Sequence, residues 1–198
     1  MTKKYAPATL RNREPIREVL SDELGQDGVL LEIAAGTGEH AVYLSRAFPD
    51  WQWQPTDPDA DALASIAAWR AEDGPPNLLP PVRLDASASE WPVARADAIL
   101  CVNMTHISPI AASEGLFAGA GRLLSSGAPL LIYGPFIEAD VQTSASNMQF
   151  DESLKARDPS WGLRELAWLD GLAAAEGFHR TARHAMPANN LTVVYRKT

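Results

Sequence analysis

The chain has 198 residues, with 17 Lys and Arg against 25 Asp and Glu and a formal net charge of −8. That length suits one domain with a substantial buried core, and the scattered basic residues form none of the stripes that nucleic-acid binding needs. A lone cysteine, Cys101, excludes an intramolecular disulfide and sits in an apolar run that reads as buried.

The basic start, Met1-Thr2-Lys3-Lys4-Tyr5, has no apolar core like that of a signal peptide, and no apolar run approaches bilayer-spanning length. The expectation is a soluble, cytoplasmic, single-domain protein over residues 1–198, a monomer or homodimer, with a small-molecule substrate and no nucleic-acid or membrane partner.

From about Thr9 to Leu24 the apolar positions Ile16, Val19, Leu20 and Leu24 share one helical face, although Pro15 argues for a break or a late start. Val29 to Ile33 is an aliphatic run with one embedded carboxylate, Glu32, and reads as a buried parallel strand. Ala34-Ala35-Gly36-Thr37-Gly38 follows. Its glycines permit a tight turn, and the free N–H groups of the next helix, His40 to Phe48, face any ligand there. Trp51 to Asp57 is an alternating strand. Asp57-Pro58 is a favoured pair for helix cap and first helical position. Asp57 also lies roughly 20 residues after the glycines, where an acidic residue commonly binds ribose hydroxyls.

A second helix carries Leu63, Ile66, Ala67 and Arg70 and ends at Gly74-Pro75-Pro76-Asn77. Pro80 to Asp85 gives a short strand closed by Asp85, which also suits a turn aspartate bonding its own backbone. Ala96 to Asn103 is the next strand, with Met104-Thr105-His106 at its exit, then a helix with Ile110, Leu116, Phe117, Ala120, Leu123 and Leu124. Ala128 to Gly134 is a fifth strand. Residues 135–160 are expected to be a long loop insertion at the active site, since long loops in compact domains are usually functional or mobile. Leu163, Leu166, Leu169 and Leu172 mark a further helix. Strands near His179–Ala185 and Leu191–Tyr195 close the chain, joined by Met186-Pro187-Ala188-Asn189-Asn190. This alternation predicts an α/β doubly wound, Rossmann-like sheet of seven strands. The short last link implies a hairpin and an antiparallel final strand.

Two cofactors compete for the glycine loop. Gly36-Thr37-Gly38-Glu39-His40-Ala41 satisfies G-x-G-x-x-A, the dinucleotide pattern of NAD(P)-dependent oxidoreductases. The spacing Glu32-x-x-x-Gly36-x-Gly38 instead resembles the first motif of class I S-adenosylmethionine (SAM)-dependent methyltransferases, with Ala34 where the commonest form has another glycine. A pyrophosphate is better served without a carboxylate beside it, whereas the ammonium and sulfonium of SAM suit an acidic loop. The chain also lacks the Tyr-x-x-x-Lys pair of short-chain dehydrogenases.

The resemblance implies particular roles. Glu32 would help hold the loop and the cofactor's amino group, Asp57 the ribose, and Asp85 the adenine amino group. Arg11, on a helical cap over about residues 1–25, would meet the cofactor's carboxylate or else be solvated. Ala34, Gly36, Gly38 and Asn103 complete the expected cofactor site. Closer still, several further stretches resemble an uncharacterised methyltransferase-like family of unknown function that includes methyltransferase-like protein twenty-six. They are Arg11-Asn12-Arg13-Glu14-Pro15-Ile16, Asn103-Met104-Thr105-His106-Ile107-Ser108-Pro109, Tyr133-Gly134-Pro135-Phe136, Ser146-Asn147 with Phe150-Asp151, Trp161-Gly162-Leu163-Arg164 and Met186-Pro187-Ala188-Asn189-Asn190-Leu191. This resemblance implies a SAM-binding fold without naming a substrate.

Ligands of open parallel sheets bind beyond the carboxyl ends of the strands, which brings these unusual polar residues to one crevice. His106 is the first candidate for a general base, because imidazole titrates near neutrality, with Tyr133 and Asp151 in reserve. Asn147, Asn189 and Asn190 are candidates for orienting a small-molecule methyl acceptor, the last two being equally suited to a turn. The histidines His40, His106, His179 and His184 show no close ligand spacing, so no metal site is expected. A SAM-binding module without turnover fits the same residues.

Overall fold

The computed structural model describes residues 2–198. Seven strands form one sheet: β1 (Gly28–Ile33), β2 (Trp51–Asp57), β3 (Val82–Arg83), β4 (Ala98–Val102), β5 (Pro129–Gly134), β8 (Phe178–Met186) and β9 (Asn190–Lys197). Their order is β3-β2-β1-β4-β5-β9-β8. All neighbours pair in parallel except β9, which is antiparallel to both β5 and β8. The expected closing hairpin is therefore present, and β9 inserts between β5 and the edge strand β8. Two short strands, β6 (Phe136–Ile137) and β7 (Arg164–Glu165), pair outside the main sheet.

Helices cover both faces, as parallel strands buried on both sides require. Helices α1 (Thr9–Glu23), α2 (Glu39–Ala47) and α3 (Ala60–Asp73) lie on one face, where Ile16, Leu20, Leu44 and Trp53 join a buried cluster with Leu30 and Leu100. On the other face α4 (Ile110–Leu123) and α6 (Leu166–Ala175) bury Leu116, Phe117, Ala120 and Leu169 against Leu31, Ile33 and Cys101. Cys101 is wholly buried, as its apolar setting predicts.

Three elements differ from the sequence reading. Helix α1 runs unbroken through Pro15. A mid-helix proline costs about 3 kcal/mol, but burying Ile16, Val19 and Leu20 stabilises by roughly 1.5–3 kcal/mol each, so packing prevails. The helix is thus part of the core. Second, the cap of α3 is Asp59, whose side chain accepts from the Ala62 N–H at 3.0 Å, and not Asp57. Third, residues 135–160 are no long loop. They hold β6 and a 13-residue helix, α5 (Ala145–Arg157), capped by Ser144. The buried positions of α5 are Asn147, Asp151 and Leu154, and a mostly polar inner face leaves no apolar period to read.

Candidate functional site

The carboxyl edge of the sheet carries the strained backbone of the molecule. Among the described residues, four non-glycine residues have a left-handed φ: Ala34 at 57°, Asn103 at 60°, and Ala188 and Asn189 at 57° each. Ala34 follows β1, Asn103 follows β4, and Ala188 and Asn189 follow β8, so all four fall at that one edge. Such conformations cost on the order of 1–3 kcal/mol each and gather at binding sites. Each of the four lines one of two cavities there.

The first cavity, about 470 Å³, lies over the glycine loop and is lined by Ala34, Gly36, Asp57, Asp85, Met104 and Trp161 among others. Gly38 opens α2 with φ 91°, and a Cβ there would stand 2.8 Å from the Ile66 Cα, so only glycine fits between loop and α3. Asp57 is buried and ties the loop to β2: its Oδ2 accepts from the Gly36 N–H at 2.9 Å and its Oδ1 from the Asp59 N–H at 3.0 Å. Burial raises its pKa, and those two backbone bonds work against the shift. Asp85 is exposed at the cavity rim, and its Oδ1 accepts from both the N–H and the hydroxyl of Ser87.

Glu32 does not line this cavity. Its carboxylate is wholly buried beneath the loop and accepts from the Trp53 indole N–H at 2.6 Å, while its carbonyl accepts from the Thr56 hydroxyl. Burial pushes its pKa up to about 7.

The second cavity, about 550 Å³, adjoins the first, with Ile107 in the wall of both. It brings together Arg11, Asn103, His106, Tyr133, Asn147, Asn189 and Asn190 from the sequence reading, so Arg11 and Asn103 face this space and not the glycine loop. His106 is buried, packs edge-on against Phe150 at 5.7 Å between ring centroids, and has no partner for Nδ1. Burial lowers its pKa to about 4, with the Arg164 charge acting in the same direction. Asn147 donates to the Asn189 carbonyl at 3.0 Å, and the Asn190 amide donates to the carbonyls of Pro187 and Ala188, shaping the left-handed turn. Asp151 lines neither cavity. Its Oδ1 accepts from the Leu163 N–H at 2.8 Å and its Oδ2 pairs with Lys155, which makes it a clasp between α5 and the 162–163 segment.

Two residues that lie within the quoted motifs but carry no expected role shape the site. Arg164 donates to the carbonyls of Thr105, Ser108 and Ser160, stapling the turn that separates the cavities. Asn12 is buried in the second cavity's wall, which it shares with Tyr133, and its Oδ1 stands 2.8 Å from His40 Nε2. Burial holds His40 at about 4 and therefore neutral, and raises the Tyr133 pKa. The signal for Asn12 was present: it falls in helical phase with Ile16, Val19 and Leu20, and a polar residue in an apolar stripe needs a buried partner.

Strand order, antiparallel β9 and a glycine loop after β1 define the class I SAM-dependent methyltransferase fold. Solved structures agree. An O-methyltransferase family 2 protein from Planctomyces limnophilus DSM 3776, in complex with apigenin, superposes with a TM-score of 0.76 at 18% identity, over 94% of this chain and 61% of that one. CalO1, a methyltransferase of calicheamicin biosynthesis in its SAH-bound form, gives 0.71 at 15% identity, over 93% and 54%. Magnesium protoporphyrin IX methyltransferase (ChlM) from Synechocystis PCC 6803 with bound SAH gives 0.71 at 9%, over 94% and 82%. The chain thus spans about half to three-fifths of the length of the first two. It belongs to the family described as "Protein of unknown function (DUF938)", which matches residues 3–197. Among the described residues, no helix is long and apolar enough to cross a membrane.

Proposed function

We propose that this chain is a SAM-dependent methyltransferase acting on a small molecule. The charge of the first cavity carries the reading: among the described residues its only charged lining residues, Asp57 and Asp85, are both acidic. A dinucleotide's pyrophosphate would meet two carboxylates and no Lys or Arg, and like charges repel strongly in a half-buried site. A cofactor bearing sulfonium and ammonium charges suits the same walls. The residues fit its adenosine half. Each Asp57 oxygen holds one backbone N–H and keeps a second lone pair for a ribose hydroxyl. Asp85 uses only Oδ1 in its turn, leaving Oδ2 for the adenine amino group. Ile33, Leu84 and Trp161 offer apolar surface to the base.

When bound, this cofactor supplies an electrophilic methyl, released as the carbon–sulfur bond breaks with its electron pair left on sulfur and the acceptor's nucleophilic atom takes the carbon. The protein's work is placement. The Asn103–Ile107 turn, stapled by Arg164, holds the two cavities side by side, and Asn147, Asn189 and Asn190 orient the acceptor. His106 is neutral at physiological pH, so its lone pair can take the acceptor's proton. A weak base suffices, because that proton becomes strongly acidic as the new bond forms.

Titration calorimetry with SAM and with NADH tests the reading. SAM is expected to bind and NADH not, and Asp57→Ala is expected to weaken SAM about ten- to a hundredfold, as loss of hydrogen bonds to a charged acceptor does. Tight NADH binding without SAM binding would contradict it.

A further inference from the structure

The second cavity has a donor-rich wall that the methyltransferase reading alone does not explain. Among the described residues its one charged lining residue is Arg11, and no Asp or Glu lines it, although the chain carries eight more acidic than basic residues. The Tyr133 hydroxyl stands in the same wall, and among the described residues its O–H meets no acceptor. An amide oxygen only accepts, so with Asn12 Oδ1 at 2.8 Å from His40 Nε2 the histidine is the donor. The Asn12 amide nitrogen, in the same wall, offers only donors. With its oxygen bonded to His40, Asn12 gives the phenolic proton nothing to bond, and the open side is the cavity. Around this donor pair the wall is apolar, with Pro135, Ile107 and Phe150, the last two 42% and 40% exposed. Large apolar side chains left that open, beside a cation and an aimed donor, match a ligand that is part apolar and part anionic.

We infer that the methyl acceptor is an amphipathic organic anion, its carboxylate held between the Arg11 guanidinium and the Tyr133 O–H and its apolar body packed on Ile107, Pro135 and Phe150. Asn12 and His40 are positioning residues: they aim the phenolic proton without touching the ligand. The inference rests on the methyltransferase reading, since it assigns this cavity to the acceptor.

The probe is 2-naphthoate, titrated into full-length protein saturated with S-adenosylhomocysteine, with 2-naphthylmethanol as the uncharged control. Naphthoate is expected to bind at least about tenfold more tightly than the alcohol. Arg11→Gln and Tyr133→Phe are each expected to remove most of that preference. Asn12→Asp is the sharper variant, because a carboxylate accepts from both His40 and Tyr133 and turns the phenolic proton away from the cavity. It should lose naphthoate as Tyr133→Phe does while still binding S-adenosylhomocysteine, a readout that also reports an intact fold. Equal binding of naphthoate and the alcohol, with S-adenosylhomocysteine bound normally, overturns the inference and leaves the methyltransferase reading standing. So does an Arg11→Gln variant that loses S-adenosylhomocysteine but keeps 5′-methylthioadenosine, which lacks the amino-acid carboxylate, because Arg11 then serves the cofactor. Failure of the parent protein to bind S-adenosylhomocysteine at all strikes the underlying reading instead.

Discussion

Glu32 shows how far a motif position and a side chain's destination can diverge. Its spacing from the glycines is local and visible, but the carboxylate points to the face shared with Leu30 and Trp53, because side chains alternate along a strand. That face becomes known only once β1 pairs with β2, with Leu30 opposite Trp53. With a folded pKa of about 7 against an ordinary 4.5, Glu32 binds more protons folded than unfolded. The stability it contributes is therefore complete below pH 4.5 and lost as pH rises through 7, on the order of 3 kcal/mol. Glu32→Gln is expected to raise the melting temperature by several degrees at pH 8 and leave it nearly unchanged at pH 4.5, and thermal melts at both values check this. His40 and His106 work in the opposite sense. Both fold with pKa values near 4, so their contribution is present above pH 6.5 and lost as pH falls toward 4. Their ring C–H resonances are expected to show no titration between pH 6 and 8, and a midpoint near 6.5 for His106 would contradict its neutral role.

At the scale of elements, the sequence is most legible where apolar residues keep a period. Strands β1, β4 and β5 and helices α4 and α6 follow from aliphatic runs and leucine spacing. Helix α5 does not, because Asn147 and Asp151 occupy its buried face beside the single leucine, Leu154. Its tie to the rest of the fold is the Asp151 clasp on the Leu163 N–H. Asp151→Ala strands that buried donor and is expected to cost about 2–3 kcal/mol, with faster amide exchange across residues 144–163. Asp151→Asn keeps an accepting oxygen and should cost less. Equal exchange in both variants would show that the clasp does not hold the helix. Asp57 and Asp59 both sit beside Pro58, so the sequence favours Asp57 as the cap of α3, and only the folded chain selects Asp59 and leaves Asp57 to the Gly36 and Asp59 N–H groups.

At the scale of the molecule, one topological fact gathers residues that are distant in sequence. A doubly wound sheet sends the exits of β1, β2, β4, β5 and β8 to the same edge, where two cavities share the Asn103–Ile107 turn. The left-handed residues at that edge cost folding energy that a stability-driven sequence would avoid. The division into an acidic cavity and a cationic one was beyond the sequence, because Arg11 is brought to His106 and Tyr133 only by the packing of α1 on the sheet. The most direct test is a crystal structure with S-adenosylhomocysteine bound. Ribose hydroxyls are expected on Asp57, the base beside Asp85 and Trp161, and the sulfur directed toward the Ile107 wall. Adenosine bound elsewhere, with Asp57 contacting no sugar, would contradict it.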